Sequence, residues 1–323
     1  MTLGGEGRFA AMGNVQVEEA RRQVEICIEA GVNLFDTAAI YSFGKSEEVL
    51  GQALGTRRKE IILATKVFVG LNPGPNRTGL SRTHILESCD ASLRRLGTDY
   101  IDLYQAHSFD SLVPLDETLR AFEDLVRAGK IRYAGCSNYG GWQLMKALSV
   151  SDRLGIGRYI SQQIKYSLLA RDAEHELVPA GLDQRIGVMA WSPLQFGLLS
   201  GKFRRGHGQP SESRLNSLDA PGTVDQARLY QIVDVLAAIA GERGVSISQV
   251  ALNWVMRKPG VDTVIVGARN QQQLSDNLAA ASWTLTDAEV EKLDEVSALP
   301  LPYPNWHQQK FAGDRNPAAK HVR

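Results

Sequence analysis

The chain has 323 residues, of which 43% are apolar and 22% charged, enough for the core and solvated surface of one large α/β domain. Thirty-six Lys plus Arg balance thirty-six Asp plus Glu, so no overall field draws the chain onto nucleic acid or an anionic membrane, and neither is expected as a partner. Three scattered cysteines argue against a disulfide framework, six histidines show no metal-ligand spacing, and no apolar run approaches the roughly 20 residues of a membrane span.

The glycine-rich start MTLGGEGRFAAMG lacks the apolar centre of a secretory signal, so a cytoplasmic location is expected. From there, short apolar runs alternate with longer amphipathic ones. A strand is predicted at 33–36, a helix at 46–53, a strand at 61–66 and a helix at 81–95 with Ser81 as its cap. Strands follow at 101–106, 131–136, 159–164, 187–191 and 261–265. Helices are predicted at 116–127, 141–154, 227–243 and 246–257. Thr286 and Glu289 form a capping-box pair that starts a helix running to about Val296. Beyond it, 298–323 lacks periodicity and reads as a C-terminal tail able to shape a substrate site, with Tyr303, Trp306 and His307 in it.

Strands that read as continuous apolar runs are covered on both faces, and helices between them make successive βαβ units. Seven such strands predict a (β/α)8 TIM barrel in a single domain, 1–323, with one strand unaccounted for. Only Met1-Thr2-Leu3 offers a fragment of it. The alternative, a doubly wound open sheet, normally carries GxGxxG after its first strand, whereas Gly4-Gly5-x-Gly7 follows none.

Active-site groups of such barrels lie at the C-terminal strand ends. Asp36 closes NLFD, Tyr41 follows in TAAIY, Lys66 closes IILATK and His107 closes DLYQAH. Singly, these are an ordinary cap, rim or snorkelling residue. Together they form a proton-transfer set. An ammonium beside a phenol lowers its pKa from about 10, a carboxylate keeps the ammonium charged and aimed, and an imidazole can polarise a carbonyl oxygen.

This order of residues resembles the aldo-keto reductase superfamily, with GVNLFDTAAIYSFGKSEEVLGQAL similar to its signature and the likeness running from Gly31 to about Ala281. The resemblance implies catalytic Asp36, Tyr41, Lys66 and His107, with Tyr41 as general acid and base. It implies a preference for NADP(H) over NAD(H) and a small-molecule carbonyl or alcohol substrate (aldehyde, ketone or sugar), in a monomer or homo-oligomer. Ser137, Asn138 and Gln163 match the carboxamide-binding positions, and Trp191 matches the aromatic that stacks on nicotinamide. Ser192, Leu194, Gly197, Leu199, Gly201 and Lys202 match the pyrophosphate loop. Gly267, Arg269, Gln273, Asp276 and Asn277 match the adenosine 2′-phosphate site, and no metal is implied. Family members usually begin with a β-hairpin and a full first strand, so both are expected to be truncated here. Two alternatives stand beside a reductase: a cofactor-binding, channel-associated regulatory subunit, and an aldolase-type enzyme with Lys66 as Schiff-base nucleophile.

Overall fold

A computed structural model describes residues 2–71, 74–205 and 225–315. Met1, two positions of the 67–79 loop and the end of the 298–323 tail therefore lie outside the described residues. The chain divides into two compact units, Met1–Gln163 with Gly267–Ser275, and Ile164–Val266 with Asp276–Arg323.

The first unit begins with a one-residue parallel bridge between Leu3 and Val15, followed by helix α1 (Val17–Glu29). Strands and helices then alternate: β1 (Leu34–Asp36), α2 (Lys45–Leu54), β2 (Ile62–Val67), α3 (Arg82–Leu96), β3 (Ile101–Ala106), α4 (Leu115–Arg127), β4 (Ile131–Ser137), α5 (Gly141–Leu154) and β5 (Ser161–Lys165). Each strand pairs in parallel with the next, from β1 through β5. The β2 strand is buried at five of its six positions, as a sheet covered on both faces requires.

Local chemistry sets the helix ends. The Ser81 hydroxyl accepts from the His84 amide at the start of α3, and Gly97 ends that helix in the left-handed conformation. Gly51 lets α2 press against the end of α3, since a Cβ there would lie 2.3 Å from the Leu96 carbonyl oxygen. That contact fixes the helix following the loop that carries Tyr41.

The second unit continues with α6 (Leu177–Gln184), β6 (Gly187–Trp191), α7 (Gln226–Arg243), α8 (Ile247–Met256) and β7 (Val261–Ile265), where β6 and β7 pair in parallel. Helix α9 (Gln271–Ala279) is followed by α10 (Asp287–Val296) and α11 (Asn305–Ala312). The core of this unit gathers Trp254, Tyr166, Leu236, Ile232 and Val188. Both reciprocal bonds of the Thr286–Glu289 capping box are present, and the Arg243 guanidinium pairs with the same Glu289 carboxylate.

The sheet order follows the sequence from β1 to β7 with helices between strands, which is the (β/α)8 class expected. Among the described residues the only pairing before β1 is the Leu3–Val15 bridge. Helices α1, α6, α9 and α11 lie outside the helix spans predicted from the sequence. The last of these shows that the tail is not irregular throughout. It holds Trp306, His307 and Phe311 in mutual ring contact on an exposed helix.

Candidate active site

In the first unit the ends of β1, β2 and β3 bring three polar side chains together. Asp36 is the last residue of β1, and in the parallel register Lys66 of β2 stands opposite Gln105 of β3. Lys66 is fully buried. Its Nζ donates to Asp36 Oδ2 at 2.5 Å and to the Thr37 carbonyl at 2.8 Å. Nζ also lies 5.1 Å from the centre of the Tyr41 phenol ring. A buried ammonium persists only when paired and hydrogen-bonded, and Asp36 and the Thr37 carbonyl meet that need.

Tyr41 reaches this position through an unusual turn. Ser42 and Phe43, the next two residues, both have left-handed backbones at φ 49° and 52°. Such conformations cost on the order of 1–3 kcal/mol each and persist where surroundings over-determine them. Here the buried Ser42 hydroxyl donates to the Leu3 carbonyl at 2.9 Å and accepts from the Gly5 amide at 3.1 Å. Phe9 closes the turn, its ring 6.3 Å from Tyr41 and 5.7 Å from Phe43.

Burial disfavours the Lys66 ammonium, but Asp36 and Tyr41 outweigh it and raise the Lys66 pKa above its ordinary value. For Tyr41 the expected lowering is corrected. Burial pushes its pKa up more strongly than Lys66 pulls it down, so the net displacement is upward. The Tyr41 phenol is therefore protonated at neutral pH, a proton donor rather than a phenolate. Burial, and then Lys66, push the His107 pKa down to about 3. His107 is thus neutral across the working range, with one ring N–H to donate, and its ring meets Tyr41 edge-on at 5.7 Å.

The carboxamide candidates lie on β4 and β5 beside this set. Ser137 Oγ donates to the Gln163 carbonyl at 2.9 Å. Asn138, left-handed at φ 57°, donates from Nδ2 to the His107 carbonyl at 2.9 Å. Gln163 Nε2 donates to Asp36 Oδ1 at 2.8 Å, so its amide serves the carboxylate in this structure. Also in the first unit, Asn270 caps α9 through the Gln273 amide, and the Gln273 side chain accepts from the Arg269 amide just after Gly267. The Arg269 guanidinium donates to the Ala11 carbonyl at 3.1 Å.

In the second unit Trp191 closes β6, and the segment after it turns repeatedly through left-handed residues at Ser192, Gln195, Phe196, Gly197 and Gly201. Gly201 is required there, since a Cβ would lie 2.6 Å from Ile247. Leu199 is buried, Leu194 half-buried and Lys202 exposed. Asp276 is engaged on both oxygens, by the Ser246 hydroxyl at 2.7 Å and the Gln249 amide at 2.8 Å, while Asn277 beside it is half-buried. Among the described residues no group of three or more His, Cys, Asp or Glu could hold a metal ion.

The sequence model of the aldo/keto reductase family matches residues 1–298. The chain belongs to the aldo/keto reductase family. The match extends the 31–281 likeness at both ends, taking in the Thr2–Met12 segment that braces the Tyr41 turn. Among the family's curated members, a probable voltage-gated potassium channel subunit beta of Arabidopsis thaliana is 37% identical over 300 residues, covering 90% of this chain and 91% of that protein. An uncharacterized oxidoreductase of Bacillus subtilis is 36% identical over 288 residues, 86% of each. Versiconal hemiacetal acetate reductase of Aspergillus parasiticus is 34% identical over 302 residues, again 86% of each. The family match and the last two names support an oxidoreductase as the class of this aldo/keto reductase.

Three residues of this family member's site escape the sequence reading: Phe9, Ser42 and Gln105. Gln105 had a visible signal, because it precedes His107 by two in DLYQAH and so faces the same side of its strand. Phe9 and Ser42 had none, since their role depends on where the Thr2–Met12 segment folds back.

Proposed function

We propose that this aldo/keto reductase transfers hydride between NADP(H) and the carbonyl or alcohol carbon of an aldehyde, ketone or sugar, with Tyr41 as general acid and base. The observation that carries the reading is the buried Asp36–Lys66 pair with its ammonium 5.1 Å from the Tyr41 ring centre. Such an arrangement holds a neutral phenol and aims its proton.

The residues suit a dinucleotide. Left-handed backbone at Ser192, Gly197 and Gly201 makes the kind of loop whose N–H groups donate to phosphate, with Lys202 adding charge. The Asn270-capped start of α9 is a ready anion site, and the Arg269 guanidinium beside it donates to the Ala11 carbonyl, a neutral partner that a 2′-phosphate can replace. Ser137, Asn138, Gln163 and Trp191 are assigned to the nicotinamide end, Leu194 and Leu199 to the pyrophosphate loop, and Gly267, Gln273, Asp276 and Asn277 to the adenosine end. Asn138 and Gln163 then exchange amide partners they hold in this structure. When bound, the nicotinamide supplies a hydride, two electrons and a proton's mass, to the carbonyl carbon. His107 donates its ring N–H to the carbonyl oxygen, Tyr41 delivers its proton to that oxygen as the alcohol forms, and Lys66 stabilises the phenolate left behind until solvent reprotonates it. A cytoplasmic location, a monomeric or homo-oligomeric state and service of all of 1–323 as a single domain belong to the same proposal.

The test is a screen of NADPH and NADH oxidation over aldehydes, ketones and sugars. Arg269→Ala is expected to weaken NADPH binding at least tenfold, the scale of one charge-assisted hydrogen bond, while leaving NADH binding within about twofold. Equal losses for both cofactors contradict the assignment of Arg269.

The names of the channel-subunit relatives favour a second reading, a cofactor-binding regulatory subunit with little turnover. Tight NADPH binding without oxidation by any carbonyl in the screen supports it over the first.

A further inference from the structure

We infer that Gln105 is a positioning residue, which acts through Asp36 to aim the Lys66 ammonium at Tyr41. The inference rests on the reductase reading above and deepens it.

Asp36 divides its carboxylate between two jobs. Oδ2 takes the Lys66 ammonium, while Oδ1 takes two amides, Gln163 Nε2 at 2.8 Å and Gln105 Nε2 at 3.2 Å. A carboxylate accepts and never donates when ionised, so each amide must present its NH₂, and the side-chain orientation is fixed by chemistry. For Gln105 this has a consequence. Its side chain is fully buried, and with Nε2 committed to Asp36 its Oε1 is left with no hydrogen-bond donor among the described residues. A leucine at this position would avoid that unfavourable burial, since apolar residues are the norm in such strands. A residue that leaves its own acceptor unsatisfied in order to present a donor is placed for the site rather than for stability.

The backbone makes the arrangement rigid. Gln105 faces Lys66 across β2 and β3 in register, and on its other side stands Gly135, where a Cβ would lie 2.6 Å from the Ser161 hydroxyl. No neighbouring side chain on β4 therefore competes with the amide for Asp36. The other titratable groups facing the carboxylate are Lys66, Tyr41 and His107. Without the Gln105 donor, Asp36 Oδ1 is held by Gln163 alone and the carboxylate is free to turn, which moves Lys66 relative to the phenol.

The test uses the full chain with Gln105→Met, which keeps the volume without the donor, and Gln105→Glu, which sets a second carboxylate beside Asp36. Tyr41→Phe is measured alongside. With Gln105→Met, kcat is expected to fall about tenfold or more, the scale of a hydrogen bond to a charged group, with the NADPH dissociation constant within about twofold. With Gln105→Glu, two carboxylates share one proton and the acidic limb of the kcat profile moves to higher pH. Thermal unfolding checks the fold, and Gln105→Asn, an amide withdrawn by one methylene, replaces the Met variant if that one does not fold. Wild-type kcat and wild-type pH limbs in these variants, with Tyr41→Phe inactive, overturn the role of Gln105 and leave the reductase reading standing. Full activity in Tyr41→Phe removes the reductase reading itself.

Discussion

Replacing Tyr41 by phenylalanine is expected to lower carbonyl turnover by roughly 10²-fold or more, the usual loss on removing a general acid, while NADPH binding survives. The substitution deletes one oxygen and keeps the ring, so the edge contacts with Phe9 and His107 remain. What disappears is the phenol hydroxyl near Lys66, with the proton that burial retains on it. The residual rate should also change its pH dependence. In the wild type, with the Tyr41 pKa displaced upward, reduction proceeds from the protonated phenol, and the rate falls at alkaline pH as that proton is lost. The variant should lack that alkaline fall. Steady-state kinetics across pH with a single aldehyde and NADPH decide the matter, and an unchanged kcat contradicts the role given to Tyr41.

The second large effect concerns stability. Lys66→Met leaves Asp36, whose side chain is 5% exposed, without its counter-charge. Breaking a buried ion pair by removing one partner costs about 3–5 kcal/mol, because the remaining charge stays desolvated. The amides of Gln105 and Gln163 still donate to Oδ1, so the lower end of that range is expected. Urea unfolding of both proteins at neutral pH measures it, and an undiminished stability in the variant contradicts the role of the pair. Adding Asp36→Asn to the variant should recover part of the loss, since a neutral amide replaces the orphaned charge.

The strands were legible because each is a short, largely apolar run, and 101–106, 187–191 and 261–265 agree with the structure residue for residue. Ser81 and Thr286 announced their helices because a capping hydroxyl acts within three residues along the chain. α11 was less legible. Its residues Asn305–Ala312 bury no face, so the sequence shows no apolar period there. The site divides along the same line. Asp36, Lys66 and His107 stand at strand ends and can be found from pattern alone. The direction of the Tyr41 pKa could not, because it depends on how deeply three-dimensional packing buries the phenol. The engagement of Asp276 by Ser246 and Gln249 likewise joins residues 30 and 27 positions apart, beyond any local signal.

The central claim is that the Asp36–Lys66–Tyr41 set protonates a carbonyl as hydride arrives at its carbon. The most direct measurement is a single-turnover reaction with NADPH deuterated at the transferred position, using an aldehyde that the screen identifies, with and without borohydride. The account predicts one deuterium on the product's carbinol carbon and no borohydride-trapped adduct on Lys66. Product without deuterium, or substrate fixed to Lys66 by borohydride, contradicts it.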